Sequence, residues 1–401
     1  MVHDNYTYLI VGGGMAAAAA IRGIREIDPQ GTIGLISSEP EPPYKRPPLS
    51  KKLWQGKPLQ SVWLETEQYG VDLHLGRTAR VLDTRQQRVV DDRGTVYGFD
   101  ALLLATGVKP RRLPFGDHRV IYFRTLEDYL RLRQEAAHGQ RFAVIGGGFI
   151  GSEIAAALAM NGKEVVLLFP EPGIGARLFP PDLAASLNEV YRERGVEVLP
   201  GTSVTDVVAR GARYVVRTNG TTDAGTREIE VDGIVAGIGA RPNVDLALTA
   251  GLAVNDGIVV DAFLRTSHPH IYAAGDVAAF WQSALGERRR VEHEDNATTM
   301  GRAAGRSMAG EPTPYEHLPF FYSDLFDLGY EAVGDIDARL EVTADWAVPY
   351  RKGTLTYHRD GQVRGLLLWN VWDQVDAARA LIASQRAIRA PRRERELIRM
   401  R

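Results

Sequence analysis

The sequence predicts an α/β fold: two Rossmann-like dinucleotide-binding domains and a C-terminal α+β domain built on an antiparallel sheet. Three observations carry this. Residues 142–171 hold a short apolar strand, the turn Gly146-x-Gly148-x-x-Gly151, an alanine-rich helix and a second apolar strand, in that order. The same succession occurs at 8–39 around Gly12-x-Gly14-x-x-Ala17. Beyond the turn-rich hinge at 311–314, apolar residues alternate over 340–346, 353–358 and 363–369, and an amphipathic stretch follows at 375–388.

In the first unit the strand is 8–11, the helix 15–27 and the returning strand 33–36, with Glu39 just beyond. In the central unit the strands are 142–145 and 165–169, Asn161-Gly162 stops the helix, and Glu171 follows. Gly146 permits the tight turn, Gly148 lets backbone approach a pyrophosphate, and Gly151 lets the helix pack close to the strand. The amides and positive dipole of the next helical turn suit phosphate. An acid about 20 residues past the last glycine is where a ribose is read. Two such units imply two nucleotides; a duplicated fold with one dead site is the alternative.

At 401 residues and 44% hydrophobic, the chain is long enough for two or three domains, and a net charge of −2 makes no electrostatic case for nucleic acid. Nine scattered histidines without H-E-x-x-H, and no cysteine, predict no metal site. No apolar run approaches the ~18 residues of a membrane span, and a start without a basic, apolar leader makes the cytoplasm the expected location. Without cysteine, electrons cannot pass through a dithiol.

The loop 40–54, PEPPYKRPPLSKKLW, is too rich in proline for regular helix through Pro48, while Ser50 is placed to cap a short helix from Lys51. Arg46 and Lys51 then stand beside a nucleotide site as phosphate or flavin contacts; a stiff surface loop with solvated charges is the alternative.

Gly12–Ala17, the YKRPPLSK loop, Ala105-Thr106-Gly107, the central glycine turn with Glu153, GIGARPN at 237–243 and YAAGD at 272–276 occur in the order found in the glutathione-reductase-like flavoproteins, which the whole chain resembles. RPPLSK replaces their dithiol segment, as in oxygenase-type ferredoxin reductases and the apoptosis-inducing factor branch. LFPE at 168–171, RRVEH at 289–293, YSDL at 322–325, GYEA at 329–332 and the 364–370 segment before the last helix are closer to the latter. The long C-terminal insertion of its animal members is missing.

The resemblance implies an FAD domain over 1–116 and 246–312, an NAD(H) domain over 117–245 and a reductase-like, dimerisation-like C-terminal domain over 313–401. It places Gly12, Gly14, Ala17, Gly275 and Asp276 at the FAD phosphates and ribitol. Arg46, Lys51, Ala105, Thr106, Gly107, Arg111, Glu292 and His293 become further FAD contacts. The family's ribose acid aligns with Ser38, and its neighbour Glu39 is the candidate in its place. For NAD the implied residues are Gly146, Gly148, Ile150, Gly151, Glu153, Glu171, Arg177 and Gly239, with Glu171 favouring NADH over NADPH. Phe149 covers the flavin where nicotinamide enters, Lys51 and Glu153 pair near flavin N5 across two βαβ units, and His293 and Tyr322 line the far side. An ordinary interdomain salt bridge, and a structural histidine and tyrosine, are the plainer readings.

The implied activity is hydride transfer from NADH to FAD and onward electron transfer, with a ferredoxin as leading acceptor and quinones or dyes as others. The competing implication is an NADH-responsive protein of low turnover, whose long-lived reduced complex controls dimerisation, as a homodimer, or partner binding. The tail at 386–401, with seven arginines and two glutamates, is either a solvated terminus or a docking patch for an acidic protein.

Overall fold

The computed structural model describes residues 3–220 and 226–389, which pack as two compact units. The first takes in the chain up to Lys45, then Gln60–Lys109 and Arg241–Phe321. Its sheet places His3–Val11 between Ile33–Ile36 and Val96–Leu104, with Val71–His74 outside the former and Ile271–Ala273 paired to the latter, all parallel. Arg88–Asp91 and Ala79–Asp83 extend it antiparallel.

Register decides what this sheet presents. Val11 lies opposite both Ile36 and Leu104, and Leu104 opposite Ala273. Four strands therefore end level, and the segments that follow them leave from one edge: 12–14, 37–39, 105–107 and 274–276. That carboxyl edge is where open parallel sheets take ligands. The helix Met15–Ile27, small-sided at Ala16–Ala20, lies against Glu294–Met308 so closely that a Cβ on Gly301 would stand 2.2 Å from the Ala16 carbonyl oxygen.

The second unit, made of Arg46–Leu59, Pro110–Ala240 and the chain from Tyr322 onward, repeats the plan. Its parallel sheet runs in the order Val196–Leu199, Glu164–Leu168, Arg141–Ile145, Gly233–Ala236, Val120–Tyr122. Ile145 lies opposite Leu168 and Ala236, so 146–148, 169–171 and 237–239 again leave one edge together. The strands Thr202–Arg210, Arg213–Gly220 and Thr226–Val231, unread in the sequence, form an antiparallel sheet beside it.

The C-terminal sheet has the order Phe320–Leu325, Leu328–Gly334, Gln362–Trp369, Lys352–Arg359, Glu341–Val348, with the helix Val375–Arg389 packed on Leu328–Gly334 and Gln362–Trp369. From Tyr322 on it belongs to the same compact unit as the central βαβ. Tyr330 and Trp369 stack at 5.6 Å, and Phe179 meets each edge-on at 5.4 Å. Tyr357 donates to the Leu178 carbonyl at 2.8 Å. Three buried aromatics, each removing about 150–250 Å² from water at about 25 cal/mol per Å², outweigh any single polar contact there. The tail lies outside the described residues from 390 on.

Candidate functional site

At the first edge, Gly12 has φ +124°, and a Cβ there would stand 2.1 Å from the Ala105 carbonyl oxygen; only glycine satisfies both. Gly14 faces open space, and no side chain caps the helix it starts. Ala17 is fully buried at the position equivalent to Gly151. In the second unit Gly146, φ +109°, approaches the Gly237 carbonyl in the same way, Gly148 faces open space, and the helix Phe149–Met160 likewise lacks a side-chain cap and an acid in its first turn. A Cβ on Gly151 would fall 1.8 Å from the Gly146 carbonyl oxygen. Both turns thus present uncapped helix amides beside a cradle a side chain would fill, and a dinucleotide phosphate fits each.

The two acids occupy matching positions. Glu39 is three residues past the end of Ile33–Ile36 and Glu171 three past the end of Glu164–Leu168, two strands paired in the same register with their neighbours. Ser38 matches Pro170 and is exposed. The buried Tyr44 donates its hydroxyl to the Glu39 carboxylate, and Glu171 accepts from Arg177 Nε at 3.0 Å and Nη2 at 2.6 Å.

Two motifs far apart in sequence latch together in the first unit: Thr106 Oγ1 donates to the Asn243 carbonyl, and Asn243 Nδ2 to the Thr106 carbonyl, both at 2.8 Å, while Asn243 N reaches Gly107. Gly275, φ +77°, packs on Ala16, and Arg290 joins the Asp276 carbonyl to the Glu292 carboxylate. His293 precedes the Glu294–Met308 helix and stacks on Phe321 at 4.3 Å.

In the second unit Phe149 and Ile150 are half-buried at the helix start and Gly239 is exposed beside Arg111, whose amide donates to the Gly239 carbonyl and whose Nε donates to that of Ala240. Arg46 donates to the Arg124 carbonyl at 3.0 Å. Lys51, 9% exposed, reaches Glu153, 4% exposed, at 2.7 Å, and its ammonium lies 5.3 Å from the Tyr322 ring centre. Glu153 also accepts from Ser50 at 2.5 Å and Ser323 at 2.6 Å. Desolvating two charges costs several kcal/mol per ion, offset only where the remaining lone pairs are also satisfied; the two serines meet that condition.

Two expectations are corrected here. Lys51 and Glu153 do not come from separate units: the Lys51 loop packs within the second one, through Trp54. That indole lies edge-on to Tyr129 at 5.8 Å and 4.9 Å from the Arg133 guanidinium, and Asn161 donates to the Trp54 carbonyl. Ser50 does not cap a helix; its hydroxyl goes to Glu153, and the loop forms two 3₁₀ turns, Pro47–Ser50 and Lys52–Gln55, either side of Lys51. Ser50, Ser323, Tyr44 and Asn243 were missed as site residues. All four stand inside motifs quoted above, but nothing local singles them out there, since their partners lie up to 170 residues away.

Residues 6–301 match the pyridine nucleotide-disulphide oxidoreductase family. The chain belongs to that family. Residues 304–349 of this oxidoreductase match the C-terminal domain of mitochondrion-associated apoptosis-inducing factor. The oxidoreductase is 35% identical to apoptosis-inducing factor 1 of Dictyostelium discoideum, over 96% of this chain and 80% of that protein. It is 33% identical to the 5,5'-dehydrodivanillate O-demethylase ferredoxin reductase subunit of a Sphingobium species, over 94% and 93%. The solved covalent complex of putidaredoxin reductase with putidaredoxin superposes with a TM-score of 0.87 at 28% identity, covering 95% of this chain and 93% of that one. The predicted fold is the one found, and family and neighbours imply FAD and a pyridine nucleotide as cofactors. Lacking cysteine, this oxidoreductase cannot perform the dithiol chemistry in the family's name. Among the described residues no cluster suited to a metal and no helix able to cross a membrane is present.

Proposed function

We propose that this chain is an FAD-containing, NADH-dependent reductase that delivers electrons to a ferredoxin. The observation that carries the reading is the buried Lys51–Glu153 pair, held in the unit whose open glycine turn suits a dinucleotide. When bound, FAD would supply the redox chemistry, hydride acceptance and onward electron transfer. The chain's residues bind and orient. Gly12, Gly14 and the 105–107 and 274–276 segments hold FAD from one sheet edge, with Glu39 rather than Ser38 on its ribose, supported by its match to Glu171. Gly146, Gly148 and the Phe149–Met160 amides hold the NADH phosphates. Lys51, fixed by Glu153, places positive charge where negative charge develops.

Glu171 accepts the adenine-ribose hydroxyls and repels a 2′-phosphate, which favours NADH; Arg177 beside it tempers that repulsion. The ferredoxin assignment is supported by the reductase relatives and by the neighbour solved bound to putidaredoxin. A cytoplasmic location accords with the bacterial ferredoxin reductases among them. The match at 304–349 favours one second reading, an NADH-responsive protein of low turnover that controls dimerisation or partner binding.

Rapid-mixing reduction of the purified yellow protein by NADH and NADPH, then reoxidation by ferredoxins, quinones and oxygen, tests this. Turnover of about 1 to 10³ per second with a ferredoxin is expected, as is a narrowed NADH preference in Glu171→Ala. A slowly reoxidised protein supports the second reading. A colourless protein that FAD does not reconstitute sinks both.

A further inference from the structure

We propose that Ser323 is a positioning residue for the Lys51–Glu153 pair, setting the rate of hydride transfer through the Glu153 carboxylate; the role rests on the reductase reading above. Ser323 lies in the first strand of the C-terminal sheet and is 1% exposed. Its hydroxyl donates to Glu153 Oε1, the oxygen that the Lys51 ammonium also reaches. Ser323 and Lys51 thus donate to one carboxylate oxygen, and Ser50 donates to the other.

The geometry makes Ser323 more than filling. Glu153 and Lys51 are both long side chains, and an ion pair alone leaves both free to shift together. Donors on a strand and on the loop, aimed at both carboxylate oxygens, remove that freedom. Losing the Ser323 hydroxyl keeps the pair but lets Oε1 follow the ammonium. Hydride transfer is sensitive to such displacement, about a hundredfold for an error of 1 Å.

The test uses FAD-loaded protein and the variants Ser323→Ala and Ser323→Thr. Under rapid mixing, Ser323→Ala is expected to slow reduction about tenfold or more while the NADH dissociation constant and FAD content stay near wild type; Ser323→Thr restores the rate. In a Lys51→Met background Ser323→Ala adds no further loss. Dye-mediated titration with a chemical reductant supplies a second readout, in which Ser323→Ala shifts the flavin midpoint potential in the same direction as Lys51→Met. That arm needs no nicotinamide, so it decides the role of Ser323 even if neither NADH nor NADPH reduces the protein and the reductase reading fails. Should Ser323→Ala not fold, Ser323→Cys, similar in size but a weak donor, takes its place. Wild-type rate and potential in the hydroxyl-free variant, or fully additive losses with Lys51→Met, overturn the proposal.

Discussion

Glu153 is a carboxylate that could not be buried alone. Its position on the second turn of an apolar helix is tolerable because Lys51, Ser50 and Ser323 all donate to it. Removing either charged partner strands the other, typically at about 3–5 kcal/mol. We therefore expect Lys51→Ala and Glu153→Ala each to slow flavin reduction and weaken FAD retention, and to combine less than additively. A double-mutant cycle on the NADH reduction rate measures this; independent, additive losses would show that the pair does not act together.

At the level of elements, Trp54 anchors the 46–59 loop alongside the polar contacts of Arg46, Ser50 and Lys51. Trp54 is buried, donates from its indole nitrogen to the Leu49 carbonyl at 2.8 Å, and packs on Tyr129 and Arg133 of the Leu126–His138 helix. That helix is itself started by a reciprocal capping box of Thr125 and Asp128. Trp54→Ala should cost about 3–5 kcal/mol and release the loop, opening it to protease at Lys52 and Lys57. Lys51 then loses its register with Glu153, so reduction should slow in step with cleavage. Wild-type protease resistance in Trp54→Ala would mean the loop is anchored elsewhere.

For the molecule as a whole, one contribution to acid stability lies in the first unit, at His74 and Asp91. His74 accepts or donates at 2.8 Å to Tyr6 and packs 4.8 Å from the Tyr97 ring, whose hydroxyl donates to Asp91. Burial lowers the His74 pKa from 6.5, against the opposing charges of Asp4 and Asp72. Asp91 is also lowered: burial pulls it upward, but amides of Thr95 and Arg93, Tyr97 and Arg77 prevail. In both cases the unfolded chain binds the proton first, so stability falls as pH drops. The His74 contribution is lost from about pH 6.5 down through its lowered folded value, and that of Asp91 only below about 3.8. Melting temperatures between pH 8 and 5 should decline for wild type and flatten for His74→Asn; equal slopes would exonerate the histidine.

What the sequence determined by itself was local: glycine turns, apolar strands and the acids beyond them are spaced by strand length and helical rise, so 12–14, 146–148, Glu39 and Glu171 could be named from one stretch each. Tertiary structure decided which of them meet. Parallel register, not proximity in the chain, brings 105–107 and 274–276 level with Gly12. Counting from paired strand ends puts Glu39 level with Glu171. Lys51 was legible as a cation near a nucleotide, but its membership of the second unit follows from long-range contacts of its loop, Trp54 on Tyr129 and Arg46 on the Arg124 carbonyl among them. Ser50 and Ser323 are polar residues of no distinctive pattern; they become part of the site only because folding buries a carboxylate between them, and a buried charge requires donors wherever in the chain they come from.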